Sequence, residues 1–338
     1  MNRLFLYSGL FFILLLIFDA YDRDYNQIQI ANTESAEDVA PQTSSQPPDE
    51  RSLTSVDTDK EVNKNRKIEM LESDKLLVKF DVTSGEILFS ELKDYSKSLG
   101  SKENIVILDL ENKKYTAASS IQILDTETQP SFTKKNSGSQ NKVTLQATNI
   151  SGLLLIKTIE ILENTHQLVV TNKVINNTAK PVKARNYETI SRDSNSTASV
   201  MLPTYTGSAF YDEENKFSKL SFDDIFENKQ TIKTKDSWIS MIEHYFFSAW
   251  LPTSSQQKTI YTNYENGIYT IGSSTNYLTI QPGESASYES LMFVGPKLQS
   301  EISSLTNGLD LTVDYGVLTF LSAPLFWVLD SINFIFGN

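Results

Sequence analysis

The chain has 338 residues, and its 42 acidic residues against 30 basic ones give a formal net charge of −12. The lack of cysteine excludes a disulfide framework, a thiol nucleophile and a cysteine-ligated metal centre, and the acidic excess argues against a nucleic-acid-binding protein, which needs a basic surface. The length allows one large or two medium domains. With 21% charged and 11% aromatic residues, most of the chain can fold and bury a core.

The first predicted element is an apolar helix that anchors the chain in a membrane, within residues 1–22. Fifteen residues without a charge include the anchor positions Leu4, Phe11, Leu15 and Phe18. An arginine precedes this stretch and three aspartates follow it, so the positive-inside rule places the N-terminus in the cytoplasm and the rest of the chain outside. A cleaved signal peptide is the alternative, but no small-x-small cleavage site follows Phe18.

Residues 23–66 are predicted to form a disordered linker. No aromatic residue lies between Tyr25 and Phe80, and the stretch is rich in serine, threonine, glutamate, glutamine and proline. Such a composition buries too little apolar area to offset the entropy of ordering, which indicates a flexible tether.

Residues 67–308 show the period-two pattern of β-strands. Apolar and charged residues alternate from Leu76 to Val82, and the runs Leu153 to Leu162 and Leu168 to Ile175 flank a polar turn. Tyrosine- and threonine-rich runs between residues 260 and 280 are separated by turn residues. The pattern predicts a mainly β protein, built as a large two-sheet sandwich.

A helix is predicted to close the folded region, and a second one is predicted near the C-terminus. Leu298, Ile302 and Leu305 have helical spacing, and Gly308 stands where a C-terminal cap is expected. Residues 309–338 are predicted to be a connector followed by an amphipathic helix in the membrane interface, with Trp327 at headgroup depth. The alternative is a core helix of the sandwich.

No pattern of catalytic chemistry emerges. The chain has no phosphate-binding loop, dinucleotide fingerprint, zinc-protease motif or nucleophile elbow. We predict that His166 is an exposed turn residue, that His244 packs among aromatic residues on the strand face opposite Glu243, and that Asp223 and Asp224 begin a helix or form a turn. We therefore predict no catalytic residue, no cofactor and no metal site, and a protein that is not an enzyme.

Two stretches go beyond composition. One runs from Asp236 to Pro252, and the other from Leu309 to Gly316 with a downstream Pro-Leu-Phe-Trp. Together they resemble the YidC family of bacterial inner-membrane protein insertases, in the long form with a large periplasmic domain. The positions that carry the resemblance, which we expect to be structural, are Trp238, Tyr245, Trp250, Pro252, Asp310, Asp314, Tyr315, Gly316, Pro324 and Trp327.

The resemblance implies a fold and a role. The fold is a periplasmic β-supersandwich similar to galactose mutarotase, between the N-terminal transmembrane helix and the C-terminal interfacial helix. The role is to insert and fold inner-membrane proteins, alone or with the Sec translocon. The implied partners are the translocon with its accessory subunits, nascent inner-membrane proteins and the lipid bilayer.

The resemblance also implies that this sequence differs from the family in its membrane-spanning part. Family members continue into five further transmembrane helices, which carry a hydrophilic groove with a key arginine, and no residue here corresponds to that arginine. We therefore expect a fragment, a split gene product or a deliberately shortened chain that lacks the insertase core and does not restore insertion by itself. A periplasmic carbohydrate-binding or mutarotase-like protein, and a generic anchored scaffold, remain as alternatives.

Overall fold

The computed structural model describes residues 66–98, 100–135, 139–195 and 205–313. The chain divides into two units, and apart from Val313 the described residues belong to the unit Glu50–Thr312. The predicted N-terminal anchor, the linker before Arg66 and the predicted interfacial helix lie outside the described residues.

Within the ranges that the structure describes, no helix is both long enough and apolar enough to cross a membrane.

The described residues form nineteen strands. In chain order they are β1 Ile68–Glu72, β2 Leu76–Asp81, β3 Ile87–Ser96, β4 Asn104–Asp109, β5 Thr116–Ile123, β6 Thr133–Lys135, β7 Lys142–Ala147, β8 Leu153–Ile161, β9 Gln167–Asn176, β10 Val182–Arg192, β11 Gly207–Asp212, β12 Lys216–Leu220, β13 Thr231–Lys235, β14 Trp238–Ile242, β15 Phe246–Leu251, β16 Gln257–Glu265, β17 Ile268–Thr275, β18 Leu278–Ile280 and β19 Ser285–Pro296.

The strands form two antiparallel sheets. The first sheet has ten strands, in the order β1-β2-β3-β5-β10-β17-β16-β13, with β4 beside β3 and β18 beside β10. The second has nine, in the order β12-β11-β14-β15-β19-β9-β8-β7-β6. One continuous apolar core draws buried side chains from both sheets. The predicted mainly β, two-sheet architecture is confirmed.

Alternation of buried and exposed side chains explains why the strands pair as they do. Along β8 and β9 every second residue is buried, and Leu155 lies opposite Val174 in the register. The Asn266-Gly267 pair, with φ of 51° and 81°, closes the β16–β17 hairpin, as expected of a tight turn in which both central residues need positive φ. The hairpin predicted across residues 153–175 is confirmed.

The helices are short. They are α1 Leu110–Lys113, α2 Phe222–Glu227 and α3 Gln299–Ile302, followed by a 3-10 turn at Leu309–Thr312. In α2, the Ser221 side chain accepts a hydrogen bond from the Asp224 backbone N–H, and the Asp224 carboxylate accepts one from the Ser221 N–H. The predicted helix start at Asp223-Asp224 is therefore confirmed.

The helix predicted across residues 298–305 is only one turn long. Leu298 at its N-terminus has no side-chain hydrogen bond to cap it, and after Ile302 the backbone continues in turns. Gly308 adopts the expected positive φ of 73°, but it precedes the 3-10 turn and does not end the helix. The short helix leaves the chain free to turn and bury Leu309.

Between the sheets lies a polar cluster centred on Glu188 of β10. Its carboxylate accepts hydrogen bonds from Lys258 at 2.8 Å, Ser273 at 2.6 Å and Ser290 at 2.7 Å. Burial alone would raise the pKa of Glu188, but the Lys258 ammonium and these donors together lower it. The buried charge is thus paired and hydrogen-bonded, which is the condition for its presence in a core.

Lys157 of β8 is a second buried charge, and it has no carboxylate hydrogen-bonded to it. Its side chain is fully buried, its ammonium donates to the Ser119 carbonyl at 2.6 Å, and it lies 5.1 Å from the centre of the Phe132 ring. The lysine side chain also fills the space beside Gly85, where an added Cβ would lie 2.5 Å from its Cδ. Burial lowers the pKa of Lys157 from 10.5 to about 7, against a smaller opposing effect of Glu86.

We expect Lys157→Met to remove a pH dependence of stability. Because its folded-state pKa is lowered, Lys157 binds more protons in the unfolded chain between pH 7 and pH 10.5, so its contribution to stability rises with pH through this window and is constant below it. The limiting slope is about 1.4 kcal/mol for each pH unit. Urea unfolding of the full chain in mild detergent at pH 7, 8 and 9, followed by tryptophan fluorescence, measures it.

Lys173→Met on the adjacent strand is the matched control, since Lys173 is partly exposed and should leave the slope unchanged. An equal slope in the parent and in Lys157→Met would contradict the assignment.

Candidate functional site: the seat of the C-terminal connector

The last described segment, residues 297–313, is here called the connector, because it leads from β19 to the C-terminal part of the chain. Its two most buried apolar residues are Ile302 and Leu309, both fully buried, and the Thr312 hydroxyl donates to the Leu309 carbonyl at 2.6 Å. Full burial of two large apolar side chains contributes about 3–6 kcal/mol before ordering costs. The connector is therefore packed onto the sandwich.

Trp238 at the start of β14 provides the central contact with the connector. Its indole N–H donates to the Asn307 carbonyl at 3.0 Å, and its ring stacks on Tyr211 with 6.0 Å between ring centres. Tyr211 in turn fits against Gly308, where an added Cβ would lie 2.3 Å from the tyrosine ring. Any side chain at position 308 would displace the connector from this contact.

Trp250 lies on β15, which pairs with β14, and its indole makes a similar hydrogen bond, but to the first sheet and not to the connector. Its indole N–H donates at 3.0 Å to the carbonyl of Thr189 on the first sheet. Both tryptophans are 1% exposed. The β14–β15 hairpin thus connects the two sheets through Trp250 and fixes the connector through Trp238.

His166 is a third contact, and its position differs from the prediction. It was expected to be exposed in the β8–β9 turn, but its side chain is fully buried beneath α3. Nδ1 lies 2.7 Å from the Glu301 carboxylate of the connector, and Nε2 lies 3.0 Å from the Asp94 carboxylate of β3. Because carboxylates only accept, both contacts are hydrogen bonds when the imidazole is doubly protonated.

Glu243 and His244 also correct the prediction. His244 does not pack in the core, since the β14–β15 turn exposes it against the Tyr245 ring. Glu243 accepts a hydrogen bond from buried Arg192 at 2.8 Å and one from Lys113 at 3.1 Å. The aromatic strand pattern continued into a turn, and this is why alternation misplaced both residues.

The structure brings together some of the positions that carried the sequence resemblance. Trp238 and Trp250 are core residues, Asp310 lies within the 3-10 turn of the connector, and Tyr245 is exposed. Pro252 lines a cleft of about 230 Å³ beside Tyr211 and Asn307. The positions that lie outside the described residues are Asp314, Tyr315, Gly316, Pro324 and Trp327, and the anchor positions Leu4, Phe11, Leu15 and Phe18.

The described residues do not present an acid–base pair in an open groove. Glu188 is enclosed by its donors, and His166 is occupied by two carboxylates. In the same ranges no group of three or more histidine, aspartate or glutamate residues is arranged to hold a metal ion. The arrangement found is one of packing and hydrogen bonding around the connector.

The sandwich and the connector both lie within the region that matches known proteins. A family profile described as the YidC periplasmic domain matches residues 70–328. The chain is similar to the membrane protein insertase YidC of Haemophilus ducreyi, with 31% identity over 100% of this chain and 64% of that protein. It is also similar to that of Actinobacillus pleuropneumoniae serotype 7, with 32% identity over the same shares. The chain thus spans about 64% of the length of these curated relatives.

Among solved structures, a galactose mutarotase related enzyme from Lactobacillus acidophilus is similar to 72% of this chain and 99% of its own, with a TM-score of 0.48 and 9% identity. This similarity concerns the fold alone, and no activity is transferred from it.

We expect Trp238→Phe to loosen the connector without unfolding the sandwich. Loss of the indole N–H leaves the Asn307 carbonyl without this donor, at a cost of about 1 kcal/mol. The backbone N–H groups of Leu309 and Leu311, which bond to Thr306 and Gly308, should then exchange with solvent about fivefold faster. Hydrogen–deuterium exchange read by mass spectrometry checks this.

The matched control is Trp250→Phe, which removes the bond to Thr189 and should lower the stability of the whole sandwich. Unchanged exchange in the connector of Trp238→Phe would contradict the assigned role.

We expect His166 and Glu301 to be energetically coupled. A double-mutant cycle with His166→Ala and Glu301→Gln should give a coupling free energy of about 1–3 kcal/mol, because the bond involves a charged acceptor in a mostly buried place. Urea unfolding of the four chains measures it. A parallel cycle of His166→Ala with Glu243→Gln, which share no contact, should be additive to within about 0.5 kcal/mol.

Proposed function

The chain belongs to the YidC family of membrane protein insertases, and from this premise we propose that the described sandwich is the periplasmic module of such an insertase. The module positions, through the connector, the part of the protein that enters the membrane. It carries out no covalent chemistry and needs no cofactor. The observation that supports this proposal best is the fixed connector, with Trp238 bonded to Asn307 and His166 bonded to Glu301.

The fixed connector supports positioning because it removes a hinge from the path to the membrane. A flexible segment of the same length would let the sandwich drift over tens of ångströms. Here Ile302 and Leu309 are buried and Gly308 is fitted against Tyr211, so the connector keeps a fixed orientation on the sandwich as far as Thr312. The module would thus present one surface to partners at a defined height above the bilayer.

In this role the protein assists insertion and folding of inner-membrane proteins, alone or with the Sec translocon and its accessory subunits. The N-terminus lies in the cytoplasm and the sandwich in the periplasm. The physical step of insertion, which lowers the cost of polar groups in lipid, belongs to membrane helices. The contribution of the sandwich is docking and orientation.

We expect the sandwich to be reached from the periplasm only. Because the chain has no cysteine, Glu214→Cys in the exposed β11–β12 turn gives a single labelling site. In cells with a permeabilised outer membrane, a membrane-impermeant maleimide should label it as fully as after lysis, and carbonate washing should leave the chain in the membrane. Labelling that requires lysis, or release by carbonate, would contradict the proposal.

Partners are tested by photo-crosslinking in the same cells. A benzophenone amino acid in place of exposed Phe226 or Leu278 should crosslink to translocon subunits or to nascent inner-membrane proteins, whereas the buried Phe247 position serves as the control. Equal yields at all three positions would argue against a specific docking surface.

A further inference from the structure

Exposed apolar side chains gather where the chain leaves the sandwich. Tyr245 is 68% exposed, Leu298 is 45% exposed and Leu311 is 46% exposed. These three residues, with His244 and Lys297, are here called the exit face. Large apolar side chains that collect at one place on a surface indicate an interaction site.

The residues of the exit face are joined through the backbone and by local packing. The Lys297 N–H donates to the Tyr245 carbonyl at 2.9 Å, which sets Leu298 next to the β14–β15 turn. The His244 and Tyr245 rings meet edge to face, with 3.7 Å between their centres. Leu298 immediately precedes α3, and α3 packs on the 3-10 turn that carries Leu311. The exit face is therefore built by the connector and the hairpin on which it rests.

Of the acidic residues beside the exit face, Glu243 and Glu301 contact basic side chains, whereas Asp310 lies next to Leu311 in the 3-10 turn. Glu243 is paired with Arg192 and Lys113, and Glu301 with His166. Lys297 adds a positive charge close to His244, whose pKa is lowered by its burial and then by that lysine. The contacts with Arg192 and Lys113 therefore reduce the repulsion that an anionic surface would meet at Glu243.

We propose that the exit face rests on the surface of the bilayer, with Tyr245 at headgroup depth and Leu298 and Leu311 against the upper acyl region. Tyrosine has this preference at membrane interfaces. The proposal rests on the proposed function in one respect, namely that the segment after Val313 meets the bilayer.

The length of the chain favours lipid over a protein partner. From Tyr315 to Asn338 the only charged residue is Asp330, and the apolar run begins at Leu318. Four residues separate Val313 from Leu318, and the five steps from one residue to the next span at most about 17 Å when fully extended. The polar zone on each side of a bilayer is about 5–8 Å thick. If the apolar run is in the interface, the exit face cannot be far from the lipid, and uncovered apolar side chains there would remain in water only at a cost.

The test uses site-directed spin labels on the full chain, which has no native cysteine. Single cysteines replace Tyr245, Leu298 or Leu311, and the matched controls replace Phe226 and Leu278, which are equally exposed elsewhere. Each chain is reconstituted in nanodiscs of three parts phosphatidylethanolamine to one part phosphatidylglycerol. We expect collision with a water-soluble nickel chelate to fall about threefold or more at the exit face, relative to the controls, because headgroups exclude the chelate.

A label at Val328 separates this inference from the proposed function. If the labels at 328 and at the exit face are both shielded, the inference is supported. If 328 is shielded and the exit face is as accessible as the controls, the inference fails and the proposed membrane entry stands. If 328 is also accessible, both fail. Shielding at the exit face that appears only when another protein is added would also overturn the inference, in favour of a protein partner.

Discussion

The β14–β15 hairpin is the element on which the other contacts depend. All its residues in β14 are buried, and each of its two tryptophans donates a single indole hydrogen bond to a backbone carbonyl elsewhere in the molecule. Trp250 reaches across the sandwich to Thr189, and Trp238 reaches to Asn307 of the connector. Because tryptophan combines a large apolar surface with one polar atom, a buried ring must have its N–H satisfied. The hairpin therefore fixes both the spacing of the sheets and the place where the chain leaves them.

Buried charged groups, like the buried indole N–H groups, need hydrogen-bond or ion-pair partners. Glu188 and Lys258 neutralise one another within a set of hydroxyl donors, and Arg192 is paired with Glu243 where the second sheet meets the first. Pairs of this kind add little net stability, since desolvation offsets the attraction between the charges, but they strongly disfavour any packing that separates the partners. Lys157 has no carboxylate hydrogen-bonded to it, and its lowered pKa records the cost of burial.

The sequence allowed the strands to be predicted better than the contacts between distant residues. The alternation in β8 and β9 is local, so the hairpin could be predicted, and the capping residues of α2 are also local. His166 could not be placed, because its burial comes from Asp94 and Glu301, which are 72 and 135 residues away along the chain. A polar residue in a turn is exposed unless another element covers it, and local pattern holds no information on which element that is. The connector helix was overestimated for a similar reason, since Ile302 and Leu309 are buried by the sandwich and not by a regular helix.

The resemblance to a family singled out two stretches that local pattern does not connect, one with Trp238 and Trp250 and one with Asp310. In the structure, the Trp238 indole donates to Asn307, which precedes the 3-10 turn that contains Asp310. The connector and the exit face beside it differ in how their apolar side chains are placed. Fixing the connector requires burial of apolar groups, whereas the exit face leaves Tyr245, Leu298 and Leu311 in solvent at a cost in free energy. The connector buries Ile302 and Leu309, and this holds Leu298 and Leu311 exposed just before the apolar C-terminal segment of the sequence. Contact with the bilayer surface would complete the burial of these exposed side chains.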